Sequence, residues 1–248
     1  MVSARVEQNR VDSNLNRDFE QVVVPAIYKH LQTENYQEAL EVVSNFSKTI
    51  ANQDENDYLK NKYDSWKALI LEKLGRYSEA LPLYKSLAQV IGAEDTLFTY
   101  FQVDVARVLH KLGNYKEAIL EIEKALADCK DSSISDKLTA LNLYADILEE
   151  CHETLNKRYQ LLVENLADQL GIKVEDNRCL DSSYLSQLVK ELSQKNHEAN
   201  RRYSRMLIEV DGIEDDRQAE NLIEQYISQE SVSYYRHLAM KALDEILI

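Results

Sequence analysis

The residues best spaced for chemistry lie in one acidic stretch, Glu149-Glu150-Cys151-His152-Glu153. Glu149 and His152 are three apart, the spacing that places a carboxylate and an imidazole on one helix face, as di-iron bundles require. Such a site needs a second copy. The residues three before His30, His110, His197 and His237 are Ile27, Arg107, Gln194 and Tyr234, so no copy exists, and the stretch reads as a solvated acidic face. Adjacent Cys151 and His152 would point about 100° apart on a helix and would not face each other as a nucleophile and its base must. There is no G-x-S-x-G, no phosphate-cradling glycine loop and no dinucleotide fingerprint. These residues lead us to expect no enzyme, no metal and no cofactor.

The elements carrying these residues are expected to be helices. Five glycines and two prolines in 248 residues fall far below the roughly 12% of an average protein. So few turn formers argue against a sandwich, a barrel or a disordered linker. With 44% hydrophobic residues the chain has apolar material for a long core. Twenty-nine Lys and Arg against 43 Asp and Glu give a net charge of −14, which disfavours nucleic acid as a partner. No stretch approaches the ~18 apolar residues that span a bilayer, so no membrane is expected. Met1 to Arg10 carries Arg5, Glu7 and Arg10 without an apolar run, so it does not read as a secretory signal. Cys129, Cys151 and Cys179 are odd in number and far apart, which fits reduced thiols and a cytoplasmic location.

Three segments align without gaps: Glu34-Asn35-Tyr36-Gln37-Glu38-Ala39-Leu40, Gly75-Arg76-Tyr77-Ser78-Glu79-Ala80-Leu81 and Gly113-Asn114-Tyr115-Lys116-Glu117-Ala118-Ile119. Their tyrosines are 41 and 38 residues apart. Each segment follows one helix-period apolar stretch and opens another, the pattern of a helical hairpin. Gly75 and Gly113 allow the positive φ that ends the first helix. The aromatic fills the wedge between the helices, and the small Ala lets their axes approach. Val43 and Phe46, Tyr84 and Leu87, and Ile122 and Ala125 then continue one apolar face.

On these residues the segment from about 20 to 130 resembles the tetratricopeptide repeats, helix-turn-helix units with a Gly-x-Tyr-x-x-Ala core. Ala68 and Ala106, then Leu71 and Leu109, match small and core positions of the family's first helix. The departures are Glu34 in place of glycine, spacings longer than the usual 34, and Pro25, which fits if the first helix starts late, with Pro25 in its first turn. The resemblance implies an all-α fold, a right-handed α-α superhelix whose first helices line a concave binding face. By register, that face includes Lys62, Ser65, Leu69, Glu72 and Lys73 in the second repeat and Tyr100, Val103, Arg107, His110 and Lys111 in the third. The family's carboxylate clamp asks for Lys and Asn where Ser65 and Leu69, then Val103 and Arg107, stand, so a C-terminal-tail ligand is not indicated.

Beyond the three hairpins (1–130), the segment 131–172 is expected to form a long helix or a degenerate fourth repeat. From Ser135 to Gln169 there is neither Gly nor Pro, and Leu141, Leu148, Leu155 and Leu162 recur every seven residues. One helix of about 35 residues ending at Gly171 would present this heptad to its own solenoid or to a dimer partner. A hairpin turning near Thr154-Leu155-Asn156 is the alternative. The part 173–248 is expected to be a C-terminal helical cap, joined through Lys173 to Arg178. Asp181-Ser182-Ser183 starts a helix to about Glu209, Asp211-Gly212 ends it, Asp215-Asp216 opens the next to Gln229, and Ser231 or Ser233 starts the last.

One charge feature breaks the acidic background. Lys190, Lys195, Arg201, Arg202 and Arg205 are followed by Glu209, Asp211, Glu214, Asp215 and Asp216, which reads as pairing across a helix hairpin or as a docking patch for an acidic segment. The expected function is a non-catalytic adaptor binding a peptide or helix of a protein partner. The alternative is an acidic inhibitor or immunity-type protein that neutralises a basic partner such as a toxin, with charge steering the encounter. A monomer is expected.

Overall fold

The computed structural model describes residues 17–50, 57–90, 96–128, 133–174, 181–213 and 215–246. Among them the chain is all helical, with eleven α-helices in sequence. It falls into two compact units, Met1–Lys124 and Ala125–Ile248. The first contains α1 (Val24–Gln32), α2 (Tyr36–Ile50), α3 (Asp57–Lys73), α4 (Tyr77–Val90), α5 (Thr96–Lys111) and most of α6 (Tyr115–Asp128). The second contains α7 (Ile134–Cys151), α8 (Gln160–Leu170), α9 (Ser182–Asp211), α10 (Asp216–Gln229) and α11 (Ser233–Ile246).

In the first unit each helix packs on the next from α1 to α5. Gly75 and Gly113 adopt φ of +72° and +77°, and Glu34 takes +56° at the equivalent position. A Cβ at either glycine would meet nothing within 4 Å, so the backbone angle, not space, calls for glycine there. The turns close identically: Asn35 N–H donates to the His30 carbonyl at 2.9 Å, Arg76 N–H to Leu71 at 2.8 Å, and Asn114 N–H to Leu109 at 2.9 Å. These bonds satisfy carbonyls that a helix end leaves open. Ala39, Ala80 and Ala118 are fully buried, as are Ala68, Ala106 and Ile122.

Pro25 lies in the first turn of α1, as expected. Helix precedes it as a π-helical turn, Phe19–Val23, in which the Val24 N–H reaches back five residues to the Phe19 carbonyl. Pro25 has no N–H to continue the ladder, and the wider turn carries the chain past that missing donor. Phe19 is thereby brought against Phe46, their ring centroids 5.0 Å apart.

The single 35-residue helix of the heptad reading is also corrected. Helix α7 starts on a capping box between Ser133 and Asp136 and stops at His152, whose φ is +57°. The Glu153 N–H donates to the Leu148 carbonyl at 2.9 Å, the same closure as in the first unit. A 3-10 turn, Lys157–Tyr159, then leads into α8, which ends at Gly171 with φ +71°. The break thus falls at the hairpin alternative. Leu155 is buried but lies in the non-helical link, so the leucines do not form one stripe. Because His152 stands beyond the helix end, it shares no helix face with Glu149.

The second unit is organised on α9, 30 residues and so about 45 Å long. It packs against α7, α8, α10 and α11. Asp181 caps it by accepting from the Tyr184 N–H at 2.9 Å, and Asp215 caps α10 by accepting from the Gln218 N–H at 3.1 Å. Both caps fall where the sequence places them. Among the described residues no helix is long and apolar enough to cross a membrane. Met1 to Arg10, Cys129, Cys179, Glu214 and most of the Lys173–Arg178 joint lie outside the described residues.

Candidate partner-binding surface

Helices α3 and α5 carry every residue expected to meet a partner. On α3, Lys73 is exposed at the last turn and Ser65 and Leu69 are half-buried. Lys62 donates to Glu20 and lies 4.5 Å over the Tyr58 ring, so its charge is already engaged. On α5, Tyr100 is 58% exposed and Lys111 is exposed beside the helix C-terminus, which a cation stabilises. Val103 and His110 are buried at 4% and 8% exposure, and from Phe101 to His110 Arg107 alone escapes burial. A helix covered on nearly every side is core. The register that put Val103 and His110 on an open face is therefore corrected: α5 is too deep for either side chain to present itself.

Arg107 belongs to an internal charge cluster. Its Nη1 donates to Glu72 Oε1 and Oε2 of α3 at 3.2 and 3.3 Å, and its Nη2 donates to Asp104 one turn earlier. Tyr84 of α4 donates its hydroxyl to Glu72 Oε2 at 3.0 Å. Three helices thus meet in one polar cluster centred on Glu72. Burial, and secondarily the neighbouring Glu72 charge, push the Asp104 carboxyl up to about 6, although Arg107 pulls it down. Tyr84 is driven well above the ordinary phenol range by burial and by the two acids. Tyr84 and Glu72 are readable as a core and a face position. Asp104 is not singled out by the repeat pattern, and its only sequence signal is the i,i+3 spacing to Arg107.

Besides Lys73 and Lys111, exposed tyrosines lie near the expected contact positions. Tyr28 and Tyr58 are 52% and 58% exposed. Tyr28 meets Trp66 edge-on at 5.1 Å, which joins α1 to α3. Exposed tyrosines are effective contact residues because they bury a large area for little conformational entropy.

The second unit holds a polar seam rather than a groove of repeats. Asn196, buried on α9, donates to Ser135 Oγ at 3.2 Å and accepts from the Tyr235 hydroxyl at 2.9 Å. Asn142 donates to Ser193 Oγ at 2.8 Å. These bonds pin α7 and α11 to α9. Of the basic stretch, Arg202 is spent on buried Glu230 of the α10–α11 link, while Lys190, Arg201 and Arg205 are exposed. A cleft of about 460 Å³ runs along α9, lined by Gly171, Tyr184, Leu188, Glu191, Lys195 and Glu198 among others. Its mixed charges select no ligand. Among the described residues no group of three or more His, Cys, Asp or Glu could hold a metal ion.

No protein-family model matches the chain, and no curated protein or solved structure matches it significantly.

Proposed function

We propose that the chain is a non-catalytic interaction module built on tetratricopeptide-like hairpins, which in the first unit stack as a right-handed solenoid and bind a peptide or helix of a protein partner. The observation that carries this reading is the recurrence of one left-handed turn. Glu34, Gly75, Gly113 and His152 all take positive φ, each ends a helix, and each closes with the same backbone bond to the residue five before the one that follows it. Those four are spaced by 41, 38 and 39 residues, while Gly171, 19 residues after His152, makes the same closure at the end of α8; repeating helical hairpins characteristically present one face to partners. His152 is then the turn of a degenerate fourth repeat. The binding face is assigned to Tyr100, Lys73 and Lys111 with half-buried Ser65 and Leu69, and to exposed Tyr28 and Tyr58.

A second reading, an acidic inhibitor of a basic protein, is favoured by one observation. Two of the expected face cations are tied to carboxylates, Lys62 to Glu20 and Arg107 to Glu72 and Asp104. This halves the positive charge expected on that face, leaving Lys73 and Lys111, on a chain of charge −14.

A tagged pull-down at about 0.1 and 0.5 M salt separates the readings, since only an electrostatically driven complex weakens with screening. A partner retained at both concentrations supports the adaptor. One basic partner lost at the higher salt supports the inhibitor, and failure to retain any protein argues against both.

A further inference from the structure

Two carboxylates from different helices share one guanidinium in the first unit. Asp104 is 4% exposed, its neighbour Glu72 is half-buried, and Arg107 bonds to both. Counted formally, two acids and one base leave the cluster one negative charge in excess. Carrying an uncompensated charge in the interior is costly, and the cheapest relief is to neutralise the more deeply buried acid.

We infer that the Glu72–Asp104–Arg107 cluster is a proton-uptake site, in which Asp104 takes a proton from solvent under mildly acidic conditions and leaves Arg107 to bridge α5 to Glu72 on α3. The charged or titratable groups that face Asp104 among the described residues are Glu72 from α3, Tyr84 from α4 and Arg107 from its own helix. Tyr84 cannot supply the proton, because its hydroxyl is committed to Glu72 at 3.0 Å. Burial sets the direction: Asp104 lies well above the ordinary carboxylate range at about 6. The device has two states. At neutral pH the guanidinium is divided between a charged acid on its own helix and one on α3; in acid only the Glu72 carboxylate on α3 still offers it an opposite charge. The inference stands on this geometry and is independent of what the surface binds.

The test is a carboxyl-carbon NMR titration of the full wild-type chain, with Asp104 assigned through backbone correlations so that no variant is needed. The expected Asp104 midpoint lies above about 5, against about 3.9 for a free aspartate. A midpoint at or below about 5 overturns the inference. Glu72→Gln removes the competing acid and gives Arg107 to Asp104, so it should lower the midpoint by about one pH unit or more. An unmoved midpoint in a folded Glu72→Gln protein would likewise overturn the shared-guanidinium account.

Discussion

Arg202 donates Nε and Nη2 to the two carboxylate oxygens of Glu230 at 2.9 and 2.8 Å, and the Glu230 side chain is wholly buried. The same carboxylate accepts from the Tyr226 hydroxyl at 3.1 Å and the Val232 N–H at 2.9 Å, so one side chain organises the α10–α11 link and ties it to α9. Arg202→Met would leave a buried anion without its cation. We expect a loss of about 2–3 kcal/mol, at the low end of buried-pair effects because Arg202 is itself partly exposed. Glu230→Gln keeps an acceptor for Val232 and removes the charge, so about 1 kcal/mol is expected. Urea unfolding of the two variants checks the order.

Asp104 and Glu230 give stability opposite dependences on pH. Asp104 is raised in the folded chain, so the fold holds this proton more tightly than the unfolded chain does. Its contribution is absent at neutral pH and grows as pH falls from about 6 toward the unfolded value near 4, by up to about 3 kcal/mol. Burial alone would raise Glu230, but hydrogen bonds from Arg202 and the Val232 N–H hold it below its ordinary value. Its contribution is complete above the ordinary glutamate range and is lost as pH falls through the lowered value. Asp104→Asn should flatten the upper window and Glu230→Gln the acid limb, each read by thermal unfolding at a series of pH values.

Substitutions at the left-handed turns should change stability in opposite senses. Gly75→Ala and Gly113→Ala place a Cβ on a residue with positive φ and should each cost about 1–2 kcal/mol, although no atom crowds the site. Glu34→Gly and His152→Gly relieve that strain and should stabilise by about 0.5–1 kcal/mol, the gain being reduced by glycine's freedom in the unfolded chain. Chemical denaturation of the four single variants measures this. No gain at His152→Gly would argue that its backbone angle is not a repeat turn.

Which parts of the fold were legible follows from the range of the interactions. Gly75 and Gly113 announce their turns because no other residue takes a positive φ so cheaply, and Glu34 was placed by alignment with them. His152 makes the same turn without glycine, and the leucine spacing from Leu141 to Leu162 runs straight across it, so the break was only an alternative. The caps at Asp181 and Asp215 are local and were readable. The ion pairing of Arg107 is not legible because helix register is local, whereas its acceptor Glu72 lies 35 residues earlier. Burial of Val103 and His110 was equally invisible, since one helix's pattern does not report how many neighbours cover it.

The central claim is that the chain binds a partner through the face of α3 and α5, and a pair of charge-matched triple variants tests it most directly. One carries Lys73→Glu, Tyr100→Ala and Lys111→Glu on that face. The other carries Lys85→Glu, Lys116→Glu and Leu120→Ala at exposed positions of α4 and α6. Both change the net charge equally, so general electrostatics is held constant. With both variants shown to fold by circular dichroism, pull-down of the wild-type partner should fall at least about tenfold for the first, roughly 1.4 kcal/mol, and stay near wild type for the second. Equal capture by the two variants, or selective loss in the second, would contradict the assignment.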